Sequence, residues 1–133
     1  MTIQLDPTRP IYLQLMDEIK RRTVRGVYAP GSQILSVRDM AKEMEVNPNT
    51  IARVYRELER EGFIETRRGQ GSFITGDAVR IGKERIALGH AATERFLGDI
   101  GELGLTAGQV REILALIGRT LTGEMVNSGE KNE

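Results

Sequence analysis

Residues 36–62 read SVRDMAKEMEVNPNTIARVYRELEREG, from Ser36 to Gly62, and this stretch decides the fold. Ser36 is a strong helix N-cap residue with Asp39 three residues on, and Val37, Met40, Ala41 and Met44 then fall at i, i+3, i+4, i+7 on one face. The spacing predicts a helix of about two turns. Val46-Asn47-Pro48 restarts the chain. Asn47 is a second N-cap, Pro48 stands where its missing N–H costs nothing, and Val46 can staple onto Ile51. The helix that follows should bury Ile51, Val54, Tyr55 and Leu58 and end at Gly62, which takes a left-handed cap readily. Two helices joined by a tight turn are the core of a helix-turn-helix.

Working outward, Pro10 suits the first turn of a preceding helix, with an apolar stripe of Ile11, Tyr12, Leu15, Met16 and Ile19 and an end near Gly26. Its Lys20-Arg21-Arg22 run reads as a solvated helix face. After Gly62 the period changes. Phe63-Ile64-Glu65-Thr66 and Ser72-Phe73-Ile74-Thr75 are β-prone runs separated by Arg67-Arg68-Gly69-Gln70-Gly71, which predicts a hairpin with a basic, glycine-rich tip. Asp77 can cap a long helix running to about Leu103, and Thr106 with Gln109 forms a capping box for a last helix ending near Gly123. The polar tail from Asn127 to Glu133 is expected to fray. The fold class is therefore mainly α with a small β-hairpin: a winged helix-turn-helix over residues 1–75, a two-helix C-terminal dimerisation segment over 76–126 that could also take an effector, and a polar tail over 127–133.

Composition bounds the function without choosing it. The 133 residues are 39% hydrophobic and 29% charged, the pattern of a folded, soluble chain rather than a disordered one. Without cysteine, disulfides and thiolate zinc sites are excluded, and the single histidine, His90, has no nearby carboxylate cluster, so no metal site is expected. Paired carboxylates and a nucleophile with its base are also missing, so the chain does not read as an enzyme, and no cofactor is expected. Met1 to Thr8 lacks the layout of a secretory signal, and no stretch nears the ~18 apolar residues of a membrane span, so a cytoplasmic protein without membrane contact is expected. The formal net charge is zero. Met1–Thr75 carries 12 basic against 10 acidic residues, +2, and Gly76–Glu133 carries 7 against 9, −2. So weak an asymmetry neither supports nor refutes a nucleic-acid partner.

Geometry points further. With Ile51, Val54 and Leu58 buried, the helix after Asn47 presents Asn47, Asn49, Thr50, Arg53 and Arg56 from its N-terminal end and outer face. An α-helix fits the major groove of double-stranded DNA, where Asn pairs with adenine and Arg with guanine, and a helix N-terminus attracts phosphate. Arg67, Arg68, Gly69, Gln70 and Gly71 at the hairpin tip suit a wing resting on phosphates or entering the minor groove. Any one of these residues alone reads more simply as solvated surface. Their order and spacing together carry the DNA-binding reading.

The run Pro30-Gly31-Ser32-Gln33-Ile34-Leu35-Ser36-Val37-Arg38-Asp39-Met40-Ala41, with Val46 to Ile51, Arg56 to Gly62 and Arg68-Gly69-Gln70-Gly71-Ser72-Phe73, resembles the DNA-binding domain of GntR-family bacterial regulators over residues 11–75. The resemblance implies that Arg38 at the start of the second helix, the recognition-helix N-terminus and the wing glycines Gly69 and Gly71 contact an operator, and Ser36 beside Arg38 is a further candidate DNA-binding residue. Leu35 stands where the family usually has proline, and Pro48 and Ala52 stand where many members have arginine. Asn49 and Arg53 are therefore expected to take a larger share of readout. Asn47-Pro48-Asn49-Thr50 with a short C-terminal part resembles the YtrA subfamily, which implies control of the chain's own operon, often one containing an ABC transporter.

In the long helix, Val79, Ile86, Thr93 and Ile100 fall at one heptad seam position and Gly82, Gly89, Phe96 and Leu103 at the other. Glycine in a helix costs about 1 kcal/mol relative to alanine, so Gly82 and Gly89 are read as places where another helix approaches. The seam predicts a homodimer, and two helices are too little material to enclose an effector cavity of ~300 Å³ within one subunit. The leading expectation is a homodimeric transcription regulator, a repressor on a near-palindromic operator. The alternative, motivated by the neutral charge, is a winged-helix protein-interaction module without DNA binding. The sequence names neither effector, operator nor regulated genes.

Overall fold

The computed structural model describes residues 3–131, with side chains described from Ile3 to Gly123. Five helices and one hairpin follow in the order α1 (Ile11–Val24), α2 (Val37–Met44), α3 (Pro48–Arg60), β1 (Ile64–Arg67), β2 (Gly71–Ile74), α4 (Ala78–Gly101) and α5 (Ala107–Lys131). The fold is the mainly helical winged helix-turn-helix expected.

The helix boundaries follow from local chemistry. Ser36 Oγ accepts the Asp39 N–H at 3.1 Å and starts α2. Asn47 Oδ1 accepts the Asn49 N–H at 2.8 Å and starts α3, with Pro48 in its first turn. Between them the chain turns through Glu45, whose φ of 57° is left-handed. That turn lets the Val46 N–H reach the Ala41 carbonyl at 3.0 Å. Asp77 caps α4 through the N–H groups of Val79 and Arg80, and Thr106 and Gln109 satisfy each other's backbone donors reciprocally at the start of α5.

The core gathers one face of each element. Leu15, Met16 and Ile19 of α1, Met40, Ala41 and Met44 of α2, and Ile51, Val54, Tyr55 and Leu58 of α3 are all buried. Phe63, Ile64 and Ile74 close the core from the hairpin side and Ile34 from the loop before α2. β1 and β2 pair antiparallel with Ile64 opposite Ile74 and Arg67 opposite Gly71. A third extended segment was not expected: the Ile34 N–H donates to the Ser72 carbonyl and the Ile74 N–H to the Ser32 carbonyl, each at 2.9 Å. The wing is thereby tied to the loop that leads into α2.

Three sequence expectations change. Lys20 and Arg22 do not form a solvated face: both are buried, at 8% and 2% exposure. Lys20 Nζ lies 2.8 Å from Glu61 and 2.9 Å from Glu84, joining α1 to the end of α3 and to α4. Arg22 pairs with Glu18 and Glu43 and donates to the Tyr28 hydroxyl at 3.0 Å. Burial is tolerable because each cation meets carboxylates and hydrogen-bond acceptors. Second, α5 does not stop near Gly123 but continues to Lys131. Glycine lowers helix propensity without ending a helix where no competing turn follows. The expected tail is thus helical as far as Lys131, and Asn132 and Glu133 lie outside the described residues. Third, by packing the chain divides into two compact units between Ala91 and Ala92, inside α4, not at Thr75. Ile81 enters the first core, Glu84 meets Lys20, and Arg85 donates to the Val24 carbonyl at 3.1 Å, so the first half of α4 belongs to the winged-helix unit.

In the second unit no side chain from Ala92 to Gly123 is buried. An open groove of ≈620 Å³ is lined by residues of α4 and α5, among them Phe96, Leu97, Leu114, Ile117 and Leu121.

Candidate nucleic-acid interface

The recognition face is built by subtraction. Because Ile51, Val54, Tyr55 and Leu58 are turned into the core, Asn49, Arg53 and Arg56, spaced i, i+4, i+7, form a stripe on the outer face of α3, and all three are exposed. Asn47 is exposed and Thr50 half-buried at the same end of the helix. Tyr55 holds α3 against the segment before α2: its hydroxyl donates to the Leu35 carbonyl at 2.6 Å. Burial, with smaller contributions from Tyr28 and Glu43, pushes the Tyr55 phenol well above its ordinary pKa, so it stays a donor.

Ser36 and Arg38 are exposed at the start of α2. Ser36 and Asn47 each spend a side-chain oxygen on capping, and so fix where α2 and α3 begin. Arg38, Arg56 and Arg68 have no ion pair or hydrogen bond among the described residues, which leaves their donors for a partner.

All five wing residues, Arg67 to Gly71, are exposed. Arg67 stacks over the Phe73 ring at 4.1 Å and approaches Glu65 at 3.6 Å. Gly69 has φ +77° in open space, whereas Gly71 has φ +112° and a Cβ there would lie 2.6 Å from Gln33 Nε2. Gln33 donates to the Gln70 carbonyl at 2.7 Å. Glycine at 71 is thus favoured twice over, by its positive φ and by the Gln33 side chain that pins the wing and that a Cβ would displace. Gln33 was not singled out in the sequence, and neither was Tyr12, whose ring carries the Arg53 guanidinium at 3.7 Å.

The buried Lys20 and Arg22 pair with acidic residues away from the exposed stripe of Asn49, Arg53 and Arg56, so net charge says little about that face. His90 is exposed on α4, and among the described residues no group of three His, Cys, Asp or Glu side chains could hold a metal ion. No helix among those residues is long and apolar enough to cross a membrane.

A capped reading helix, a second helix set across a three-residue turn and a basic hairpin wing define a winged helix-turn-helix DNA-binding regulator. The family model "Bacterial regulatory proteins, gntR family" matches residues 11–74. The HTH-type transcriptional regulator YhcF of Bacillus subtilis is 45% identical over 112 residues, covering 84% of this chain and 93% of its own. The HTH-type transcriptional repressor YtrA of the same organism is 45% identical over 78 residues, 57% of this chain and 60% of its own. Among solved structures, a GntR family transcriptional regulator from Listeria monocytogenes superimposes with a TM-score of 0.72 at 36% identity, over 84% of this chain and 97% of that one. The chain belongs to the GntR family of bacterial transcription regulators, within which it resembles YtrA. It is a DNA-binding transcription regulator and not an enzyme.

Proposed function

We propose that the chain is a homodimeric repressor that occupies a near-palindromic operator in the bacterial cytoplasm and excludes RNA polymerase there. The observation that carries the dimer is the second unit's failure to bury its own apolar residues. Leu97, Leu103, Leu114, Leu116 and Leu121 are each more than half exposed, and Phe96 borders the same groove. Apolar area left in water is worth ~25 cal/mol per Å² on burial, and a two-fold axis would let one such patch cover another. Of the seam residues, Val79, Ile86, Phe96 and Leu103 are exposed and Gly82 has open space beside it, consistent with an approach from a second chain. Thr93 and Phe96 line the groove, Ile100 is half-buried, and Gly89 lies on the same helix. The α5 residues Leu114, Leu116, Ile117 and Leu121 extend the proposed interface beyond the α4 seam.

In this reading each protomer places α3 in a major groove, with Asn49 and Arg53 reading bases and Asn47, Thr50, Arg56, Ser36 and Arg38 supporting them. Arg67, Arg68, Gly69, Gln70 and Gly71 rest on the flanking backbone or minor groove. Helix-turn-helix dimers bind half-sites ~34 Å apart, or a multiple of it. The repressor role is supported by the likeness to the repressor YtrA. An effector, where there is one, would share the α4–α5 face between subunits.

The test combines sedimentation with titration of DNA from upstream of the chain's own gene at several salt concentrations. A dimer with strong preference over random duplex is expected, and Ile86→Asp with Phe96→Asp should give folded monomers that bind the full site poorly. A monomeric wild type would overturn the dimer, and preference unchanged by Arg53→Ala with Arg67→Ala would overturn the groove-and-wing arrangement.

A further inference from the structure

Of the arginines along α3, Arg53 differs from its neighbours in being stacked on an aromatic ring. Arg56 has no partner among the described residues and Arg60 pairs with Glu57 at 3.4 Å, but the Arg53 guanidinium lies 3.7 Å from the centroid of the Tyr12 ring. Tyr12 is the second residue of α1, half-buried, and packs at the edge of the core. The two side chains help line an open recess of ≈580 Å³ shared with Pro10, Ile11, Asn49 and Thr50.

Stacking uses the face of a guanidinium and leaves its in-plane N–H donors unspent, and those donors are what pair bidentately with guanine O6 and N7. A long, unrestrained arginine gives up most of its rotamer freedom on binding a base, whereas a stacked one has given it up already. The first turn of α3 offers Pro48, Asn49 and Thr50, with Ala52 following, so Arg53 is the arginine closest to the helix N-terminus.

We propose that Tyr12 is a specificity-positioning residue: its ring presets the Arg53 guanidinium so that Arg53 reads one guanine in each half-site from the α1 side of the recognition helix. This rests on α3 being the reading helix, and the experiment separates the two failures. Full-length wild-type chain selects a consensus from a fully randomised duplex pool. Binding to that duplex and its single-base variants is then measured for Tyr12→Phe, Tyr12→Leu, Arg53→Ala and the double variant Tyr12→Leu/Arg53→Ala, each checked for folding by thermal unfolding.

Arg53→Ala should erase a guanine preference at one position per half-site. Tyr12→Leu should weaken consensus binding about 2- to 5-fold, the loss falling at that same position with the salt slope unchanged. Tyr12→Phe, which keeps the ring and the packing, should behave as wild type, and Tyr12→Leu should add nothing in the Arg53→Ala background. An undiminished Tyr12→Leu effect without Arg53, or a Tyr12→Phe defect as large as that of Leu, would overturn the positioning role while leaving α3 as reader. Retention of every base preference by Arg53→Ala, or no consensus selected at all, would overturn the proposal together with the reading it rests on.

Discussion

The two units of the chain carry a similar proportion of apolar residues and use it to opposite effect. Up to Ala91, helices and a hairpin of different geometry close on one core in which Leu15, Ile19, Met40, Ile51, Val54, Leu58 and Phe63 are fully sequestered. From Ala92 to Gly123 no side chain is buried, although Leu97, Leu114, Leu116 and Leu121 are as apolar as any in the core. Periodicity makes a helix in both places. Only the meeting of several faces makes an interior, and two helices supply too few faces. The first unit is built to hold a surface in place; the second is built with a surface to spare.

The largest test of this contrast compares Phe63→Ala with Leu114→Ala. Removing a ring that is 0% exposed should cost about 3–5 kcal/mol in urea unfolding. Leu114, 57% exposed, should change the unfolding of monomeric chain by less than about 0.5 kcal/mol while raising the concentration at which the proposed dimer forms. Equal losses of monomer stability would break the comparison.

Next is Lys20→Met, which removes the cation joining α1 to the first half of α4 and leaves Glu61 and Glu84 facing each other. A loss of about 3 kcal/mol is expected, the low end for a broken buried pair because Glu61 reaches solvent. Burial alone would lower the Lys20 pKa, but the hydrogen bonds that Lys20 donates to Glu61 and Glu84, together with their negative charges, outweigh it and the net displacement is upward from 10.5. The stabilisation is therefore fully present below pH 10.5 and is lost as pH rises through the folded-state value. Unfolding curves of wild type and Lys20→Met should converge in strong alkali; a constant gap would show that packing, not charge, holds the joint.

The fate of Lys20 also shows what sequence could and could not disclose. Ser36, Asn47, Asp77 and the Thr106/Gln109 pair were legible because a cap and its target lie within three residues of each other. The buried stripe of α3 was legible from its period, and the exposed stripe followed from it. Lys20 and Arg22 were misread because basic residues near a helix C-terminus are locally favourable on any surface, while Glu43, Glu61 and Glu84 are distant in sequence. The same distance hid the pairing of Ser32 and Ile34 with β2, the bond from Gln33 to Gln70 and the stack of Arg53 on Tyr12. Gly123 misled for the reverse reason: a local stop signal had no tertiary turn to act through.

Within the first unit the wing is its least buried part, and two glycines grade how firmly the body holds it. Gly71→Ala should cost about 2 kcal/mol in thermal unfolding, because it strains φ +112° and evicts Gln33 from the Gln70 carbonyl. Gly69→Ala meets no atom within 4 Å and should cost about 1 kcal/mol, the left-handed penalty alone. Gln33→Ala should remove most of the difference between them. If the difference persists without Gln33, the wing is held by the strand pairing alone.

The smallest effect probes the turn on which the first unit's reading geometry depends. Glu45 is, among the described residues, the only non-glycine with positive φ, and it lies in the turn that sets α3 against α2. A left-handed L-residue costs roughly 1–2 kcal/mol, and glycine would remove that cost while adding about 0.5–1 kcal/mol of unfolded-state entropy to overcome. Glu45→Gly is therefore expected to stabilise the chain by less than about 1 kcal/mol, read as a small rise in the urea midpoint with an unchanged slope. Glu45 is exposed and makes no ion pair among the described residues, so no lost contact should mask the gain. A fall in stability would mean that the side chain at 45 contributes more than the turn's strain consumes, and the packing of α2 and α3, not the backbone at Glu45, would then fix the angle between the two helices.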